Sequence, residues 1–356
     1  MRAAIALARQ AEGRTAENPP VGCIILDAGG RLAGSGRTAA GGRPHAETQA
    51  LASAGARAAG GTAFVTLEPC AHHGQTPPCF DALLQAGIAR CVIACQDPDP
   101  RTAGAGIAGL RAGGVEVATG CLAGEAAPVM AGFLSRQQTG RPFVTLKMAV
   151  SQDGFVAERR DRRTRLTGQM AGLFVQDLRS RCEALLTGIG TVLADDPLLT
   201  CRAPFDPADS PARFVMDSHL RLPLDSQLAK TAGDVPLAVI CGAAASQQRA
   251  EQLRAAGIAV LQAETDQPEA GFVLDQLGKQ AVNHLLVEAG PALAASFIAG
   301  RLADRIAVIT ADRRLQEGVP ASNLPERLDF PDPSAYMLES ETGLAADRLS
   351  IWVKKD

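Results

Sequence analysis

The sequence predicts an α/β protein of two domains. Strand-like and helix-like segments alternate along the whole chain. The length, 356 residues, exceeds the ~100–200 residues of one ordinary domain. The alternation is interrupted at Thr139-Gly140-Arg141-Pro142, where Gly and Pro punctuate the pattern. We therefore divide the chain into domains at 1–140 and 141–356.

In the first domain Met1–Arg14 has an Ala-rich helical pattern. Val21–Leu26, Thr62–Leu67, Arg90–Cys95 and Val115–Ala118 read as short strands rich in β-branched residues. Glu47–Ala58, Asp81–Ala86, Ala103–Ala112 and Gly124–Gln138 have helical spacing. The second domain restarts the rhythm. Its strands are expected at Phe143–Val150, Ala184–Thr187, Arg213–Asp217, Pro236–Cys241, Ile258–Leu261, His284–Glu288, Arg305–Thr310 and Arg348–Lys354. Its helices are expected at Gln169–Arg181, Gln247–Ala256, Glu269–Gln280 and Pro291–Ala299.

Composition narrows the function. Hydrophobic residues make up 46% and charged residues 21%, a globular balance that excludes a disordered or fibrous chain. The formal net charge of −3, the 4% aromatic content and a first domain without Lys argue against binding tRNA or single-stranded DNA. No run of 18 apolar residues predicts a membrane span, and Met1–Arg14 lacks the features of a signal peptide. A cytoplasmic enzyme is expected, with small-molecule partners, no nucleic acid and no membrane; homo-oligomerisation is left open. Nine cysteines are an odd count with irregular spacing, which does not suit a disulfide framework. Cys23, Cys91, Cys95, Cys121, Cys182, Cys201 and Cys241 lie in apolar or strand-like surroundings and read as small core residues.

The other two cysteines belong to a constellation: Pro44-His45-Ala46-Glu47, Glu68-Pro69-Cys70 and Pro78-Cys79. His45, Cys70 and Cys79 give a tetrahedral zinc three ligands and leave the fourth position for water, the mark of a catalytic site. Glu47 is placed to take a proton from that water and pass it to a leaving amine. The His-x-Glu and Pro-Cys pattern is that of zinc nucleobase deaminases, where the Glu is a proton shuttle and not a ligand. A structural zinc is the alternative, with His72 or His73 as fourth ligand, but it gives Glu47 no purpose. Both cysteines are expected at helix starts, which would lower their thiol pKa.

With Asn18-Pro19-Pro20-Val21-Gly22, Thr66-Leu67-Glu68-Pro69-Cys70-Ala71-His72-His73-Gly74, Thr76-Pro77-Pro78-Cys79 and Gln96-Asp97-Pro98-Asp99-Pro100, this stretch resembles the deaminase half of the bifunctional riboflavin-biosynthesis deaminase/reductase family. The eight residues between Cys70 and Cys79 are the specific part of the likeness. The resemblance implies a cytidine-deaminase-like three-layer domain in which Asn18 and His72 contact a pyrimidine substrate. This chain departs from the family at Thr38, near which a His is usual, and at Gln75, where Lys or Arg is usual.

The second domain has no Gly-x-Gly-x-x-Gly opening a helix; Gly188-Ile189-Gly190 is too weak a match. Arginines concentrate at 159–165, with Arg179, Arg181 and Arg202 beyond. Guanidinium groups suit phosphate, although Arg159, Arg160 and Arg162 read better as a solvated loop. Lys147 and Glu288 each fall at the end of a predicted strand, so they can meet at one sheet edge. Glu288 also precedes Gly290-Pro291, a helix start whose free N–H groups can take phosphate. Thr145-Leu146-Lys147, Ser151-Gln152-Asp153-Gly154, the run from Gly190 to Thr200 and Val287-Glu288-Ala289-Gly290-Pro291 resemble the reductase half of the same family. The resemblance implies a dihydrofolate-reductase-like α/β fold and NADPH as hydride donor to the open-chain imine of a ribosylamino group. It implies substrate contacts at Arg163, Arg179, Leu199, Arg202 and Glu288, and NADPH contacts at Ala149, Arg165, Thr191, Asp195, Ser218 and the turn from Gly290 to Ser296, with Lys147 and Glu288 catalytic. Arg165 stands where an aromatic is usual, and the segment from Ala311 to Gly318 replaces a glycine-rich one. The whole chain thus reads as a zinc hydrolase joined to an NADP-dependent oxidoreductase; the alternative is a zinc deaminase with a degenerate, non-reducing second domain.

Overall fold

Strands β1 (Gly22–Leu26), β2 (Leu32–Arg37), β3 (Thr62–Leu67), β4 (Arg90–Cys95) and β5 (Glu116–Thr119) form a five-stranded sheet in the order β2-β1-β3-β4-β5. The two strands flanking β1 run antiparallel to it, whereas β3, β4 and β5 are parallel. Helices α1 (Arg2–Arg9), α2 (Ala46–Ala54), α3 (Cys79–Gln85), α4 (Ala105–Ala112), α5 (Ala123–Ala126) and α6 (Ala131–Thr139) surround it. This computed structural model describes residues 1–72, 77–162, 164–321 and 332–355. They divide into two units, Met1–Pro142 with Ala281–Asn283, and Phe143–Gln280 with His284–Asp356.

Glycines decide how the first sheet is covered. Gly36 pairs with Cys23, and Gly22 with Arg37, so Gly36 and Gly22 face opposite sides of the sheet. A Cβ on Gly34 or Gly36 would come within 2.2 Å of the Ala50 or Ala46 carbonyl of α2, and one on Gly22 within 1.9 Å of the Ala4 carbonyl of α1. The two helices therefore press directly onto opposite faces, giving three layers. The core between them is small and aliphatic: Ala8, Ala46, Ala50, Ala63, Val65, Ile25 and Ile93.

In the second unit β6 (Phe143–Val150), β7 (Phe155–Ala157), β8 (Ala184–Gly188), β9 (Ala212–Met216), β10 (Leu237–Cys241), β11 (Ala259–Gln262), β12 (His284–Glu288), β13 (Arg305–Thr310), β14 (Val319–Pro320), β15 (Tyr336–Leu344) and β16 (Asp347–Lys354) alternate with α7 (Gln169–Ser180), α8 (Ile189–Asp195), α9 (Gln227–Lys230), α10 (Gln247–Ala255), α11 (Ala270–Lys279) and α12 (Pro291–Ala299). Nine strands form one sheet in the order β11-β10-β9-β8-β12-β6-β13-β16-β15; the strands from β11 to β13 are parallel, and β16 and β15 close one edge antiparallel. The buried central strands read Ala-Leu-Leu-Thr-Gly, Leu-Ala-Val-Ile-Cys and His-Leu-Leu-Val-Glu, the near-continuous apolar runs of a sheet covered on both faces.

Several expectations need correction. The segment expected to be one helix over 124–138 is split into α5, a 3-10 turn containing Pro128 and α6. The Met1–Arg14 pattern gives a helix only to Arg9. Strands β2, β7, β14 and β15 and helices α8 and α9 carry no clear sequence period and are additions to the expected set. Of the seven cysteines expected in the core, Cys95 and Cys121 are only half-buried.

Candidate active sites

The first site lies where β3 ends and α2 and α3 begin. Close approach of α2 to Gly34 and Gly36 fixes that helix, with His45 at its N-cap and Glu47 in its first turn. His45 Nδ1 lies 3.3 Å from Cys79 Sγ and 3.6 Å from Cys70 Sγ, and the ligand atoms of all three residues lie within 4.8 Å of one another. One imidazole nitrogen and two sulfurs at such spacing are the donor set zinc takes. His72, the candidate fourth ligand, turns away and meets Thr102 Oγ1 at 3.4 Å; His73 lies outside the described residues. The three-ligand arrangement with room for water is therefore the one the described residues support.

Cys79 opens α3 as expected, but Cys70 sits in the loop after β3 and not at a helix start. Its thiol is nevertheless held down at about 4. The hydrogen bond from the Cys79 side chain is the main cause and outweighs burial, with His45 and the Cys79 amide at 3.4 Å assisting. The same thiol–thiol hydrogen bond raises Cys79. Glu47 is 4% exposed, and burial pushes its carboxyl up to about 7, with the Cys70 charge adding to the effect. A carboxyl poised near neutrality can both accept and return a proton.

A cavity of about 170 Å³ opens onto His45, Glu47 and Cys70. Asn18 and His72 both line it. The Asn18 turn is held from two sides: Thr15 Oγ1 donates to the Asn18 carbonyl at 2.6 Å, and Thr38 Oγ1 donates to the Pro19 carbonyl and accepts from the Val21 amide, each at 2.9 Å. Thr38, 3% exposed, thus braces the wall of the cavity. Sequence reasoning assigned no role to Asp97, Asp99 and Arg101, which also line the cavity. Burial pushes Asp97 up to about 6, while hydrogen bonds from Arg101 hold Asp99 low. Gln75 lies outside the described residues.

The second site lies near the C-terminal ends of β12 and β8. Glu288 and Lys147 are register partners on adjacent parallel strands. Lys147 is inside β6 and not at its end, because that strand continues to Val150. Arg179, near the end of α7, donates Nε to Glu288 Oε1 at 2.6 Å and Nη2 to Oε2 at 3.0 Å, and Nη1 to the Thr200 carbonyl at 3.1 Å. The two side chains are 8% and 12% exposed. Despite burial, Arg179 and Lys147 hold Glu288 below the usual carboxylate range. Burial lowers Lys147, opposed by the charges of Glu288 and Asp195. Lys147, Arg179, Asp195 and Glu288 therefore form one electrostatic group, to which Arg202 adds a charge felt at Glu288.

Leu199 is buried with φ +53°, three residues from a second left-handed residue, Asp196, at +38°. Neither is glycine, so this loop is held in strain by its surroundings. Arg213, fully buried in β9, supplies part of the hold by donating to the Leu198 carbonyl at 3.1 Å and to Thr231 Oγ1 at 2.7 Å. Sequence reasoning missed Arg213; the signal was a lone guanidinium within an apolar strand. Of the residues expected at NADPH, Thr191 lies in α8 and Gly290 caps α12, and a Cβ added to Gly290 would meet Thr191 Oγ1 at 3.4 Å. A close, side-chain-free approach beside a helix start suits a phosphate. Asp195 ends α8, Ser218 follows β9 and Ala149 lies in β6. Arg165 is exposed, its carbonyl accepting from Arg313 at 3.4 Å, and among the described residues no hydrogen bond joins it to the Lys147 group. Arg163 lies outside the described residues.

Residues 1–95 match the model of the cytidine and deoxycytidylate deaminase zinc-binding region, and residues 142–313 match the RibD C-terminal domain. The riboflavin biosynthesis protein RibD of Escherichia coli is 38% identical over 326 residues, 88% of this chain and 87% of that protein. The chain belongs to the RibD family. RibD of Aquifex aeolicus is 36% identical over 91% of this chain and 89% of its own length. The structure of Acinetobacter baumannii RibD superposes with a TM-score of 0.88 at 34% identity, covering 100% of this chain and 98% of that one. The Thermotoga maritima diaminohydroxyphosphoribosylaminopyrimidine deaminase/5-amino-6-(5-phosphoribosylamino)uracil reductase gives 0.85 at 28% identity, covering 100% and 97%. Membership of the RibD family brings the two modules onto one chain, a zinc-binding deaminase domain and a reductase domain, as the two resemblances imply. The alternative of a degenerate second domain finds no support.

Proposed function

We propose that this chain catalyses two consecutive steps of riboflavin biosynthesis. The first is hydrolytic deamination of 2,5-diamino-6-ribosylamino-4(3H)-pyrimidinone 5′-phosphate. The second is NADPH-dependent reduction of 5-amino-6-(5-phosphoribosylamino)uracil to the ribityl product. The observation that carries the reading is the convergence of His45, Cys70 and Cys79 beside the buried Glu47.

Those three side chains would hold zinc, which would lower the pKa of the attacking water. Glu47 accepts the water's proton and returns it to the departing nitrogen, so that water enters at the ring carbon and ammonia leaves. Asn18 and His72 hold the pyrimidine, His72 oriented by Thr102. Bound in the second domain, NADPH would supply the hydride for reduction at C1′ of the imine. Lys147 supplies the positive charge and proton at the imine nitrogen. Arg179 keeps Glu288 ionised, and Glu288 in turn orients Lys147 and the sugar hydroxyls. Arg163, Leu199 and Arg202 complete the substrate side. Ala149, Arg165, Thr191, Asp195, Ser218 and Gly290 complete the cofactor side. We divide the two activities at residues 140 and 141. No helix among the described residues is long and apolar enough to cross a membrane, and we place the enzyme in the cytoplasm.

Supplied with the authentic deaminase substrate and NADPH, the purified protein should release one ammonia for each NADPH oxidised. Absence of ammonia refutes the first half of the reading. Ammonia without NADPH oxidation refutes the second.

A further inference from the structure

We propose that Glu68 is a positioning residue for deamination: its carboxylate caps α4 from outside that helix and so fixes the segment 97–104 as one wall of the substrate cavity. The inference rests on the reading of that cavity as the deaminase substrate site.

Glu68 follows the last residue of β3 and is 2% exposed. A carboxylate so deeply buried needs compensation, and it finds backbone. Oε2 accepts from the Gly104 amide at 3.0 Å and the Asp97 amide at 3.3 Å; Oε1 accepts from the Ile107 amide at 3.0 Å. Gly104 is the N-cap of α4 and Ile107 its third residue. Helices normally meet the third-residue amide with a Ser, Thr, Asp or Asn side chain at the N-cap and the N-cap's own amide with a Glu or Gln at the third residue. Gly104 has no side chain, and its φ of +87° suits glycine. Glu68 does the work from a strand, and its charge complements the positive end of the helix. The fit is close: a Cβ on Gly106 would lie 2.1 Å from the Pro69 carbonyl oxygen.

The segment held between the Asp97 and Gly104 amides carries the cavity residues Asp97, Asp99 and Arg101. Thr102, which meets His72 at 3.4 Å, is there too. Glu68 itself reaches the cavity lining, but both of its oxygens are spent on these amides, so it acts through this wall on a group that touches substrate, while two of the three metal ligands sit on α2's cap and α3 and Cys70 follows two residues after Glu68. Replacing the carboxylate by an amide points an NH2 group at an amide donor and strands a buried N–H.

In the full-length zinc-loaded enzyme, Glu68→Gln should raise the deaminase KM about tenfold, with a much smaller change in kcat, a normal zinc content and unchanged reductase activity. Hydrogen exchange should quicken at the amides of residues 97, 104 and 107. Thr102→Val should raise KM on its own, and the double variant should do no more than the larger single effect, because both act along one path. A KM unchanged in Glu68→Gln, strictly multiplying KM effects, or zinc lost from both variants overturns the proposal. If Glu68→Gln does not fold, Thr102→Val decides alone, and an unchanged KM there overturns it. A wild-type enzyme that releases no ammonia refutes the functional reading instead.

Discussion

Arg179→Met should be among the more destabilising single substitutions in the second domain, because it removes one member of a buried ion pair and leaves the other. In the native protein three donors of Arg179 are used, two on Glu288 and one on the Thr200 carbonyl. Breaking such a pair from one side costs ~3–5 kcal/mol, and the stranded carbonyl adds to it. Lys147, on the neighbouring strand and in register with Glu288, offsets a part, so a net loss of ~3–4 kcal/mol is the working figure. At ~2–4 °C per kcal/mol for a domain of this size, the reductase transition should fall by ~6–16 °C in scanning calorimetry. Glu288→Gln leaves a buried guanidinium unpaired and should cost a comparable amount. The double variant Arg179→Met/Glu288→Gln should lose less than the sum, because neither charge is left uncompensated.

The pair also sets a pH dependence. The folded pKa of Glu288 lies below its unfolded value, so the stabilisation is complete above the unfolded value of ~4.3 and fades as pH falls through the folded one. Wild type and Arg179→Met should therefore converge in acid. A shift below ~2 °C for Arg179→Met at neutral pH, given the expected slope, or additive losses in the cycle, would refute the assignment of this pair as the electrostatic core of the site.

Glu47→Gln should lower ammonia release by ~10²–10⁴-fold, the range of general acid–base catalysis, with zinc stoichiometry and NADPH oxidation intact; loss of both activities would contradict independent sites. Stripping the metal with a chelator should abolish deamination and spare reduction, and added zinc should restore it, as metal analysis alongside both assays would show. His284 is depressed to about 3, by burial first and then by Arg305, so the unfolded chain binds the extra proton and stability must fall below the unfolded pKa of ~6.5. At pH 5.5 that loss is ~1.4 kcal/mol, and His284→Gln should narrow its stability gap to wild type by that amount between pH 7.5 and 5.5; a constant gap in urea titrations would refute the assignment. Arg213→Met should strand the Leu198, Thr231 and Val235 carbonyls and raise the reductase KM more than that of the deaminase, measured side by side.

How much of this was readable beforehand depended on whether the chemistry lay in side chains or in backbone. The His45, Cys70 and Cys79 cluster beside Glu47 was legible because zinc demands particular atoms at particular spacings, and a motif records them. The central strands were legible because sheets covered on both faces need apolar runs. Strand β2 was not, since Leu-Ala-Gly-Ser-Gly-Arg has the composition of a loop; its glycines are there to admit α2, a requirement imposed by a helix that comes later in the chain. The helix expected at Cys70 failed for the opposite reason: a Pro-Cys pair resembles a helix start, yet Cys70 is held in a loop by contacts with Cys79 and His45. Thr38 was noted only as a departure, and its bracing of Asn18 depends on a turn that no period in the sequence announces.

The two active sites neutralise a carboxylate beyond or at the end of a strand in two different ways, and the difference has consequences. Glu68 is compensated by amides of Asp97, Gly104 and Ile107, whose donors are independent of residue identity, so nothing in the sequence of the 97–107 segment reveals the partnership and few substitutions there can tune it. Glu288 is compensated by Arg179 and Lys147, whose charges are visible in the sequence and individually replaceable. Backbone compensation fixes a shape, which is what a wall around a flat pyrimidine requires. Side-chain compensation sets a local potential, which is what proton delivery to an imine nitrogen requires. A charge-neutral substitution such as Thr102→Val should therefore move KM with little effect on the pH profile, whereas substitutions around Glu288 should displace the pH profile of reduction. A reductase pH profile unmoved in Arg179→Lys, and a deaminase profile displaced in Thr102→Val, would together reverse this division of roles.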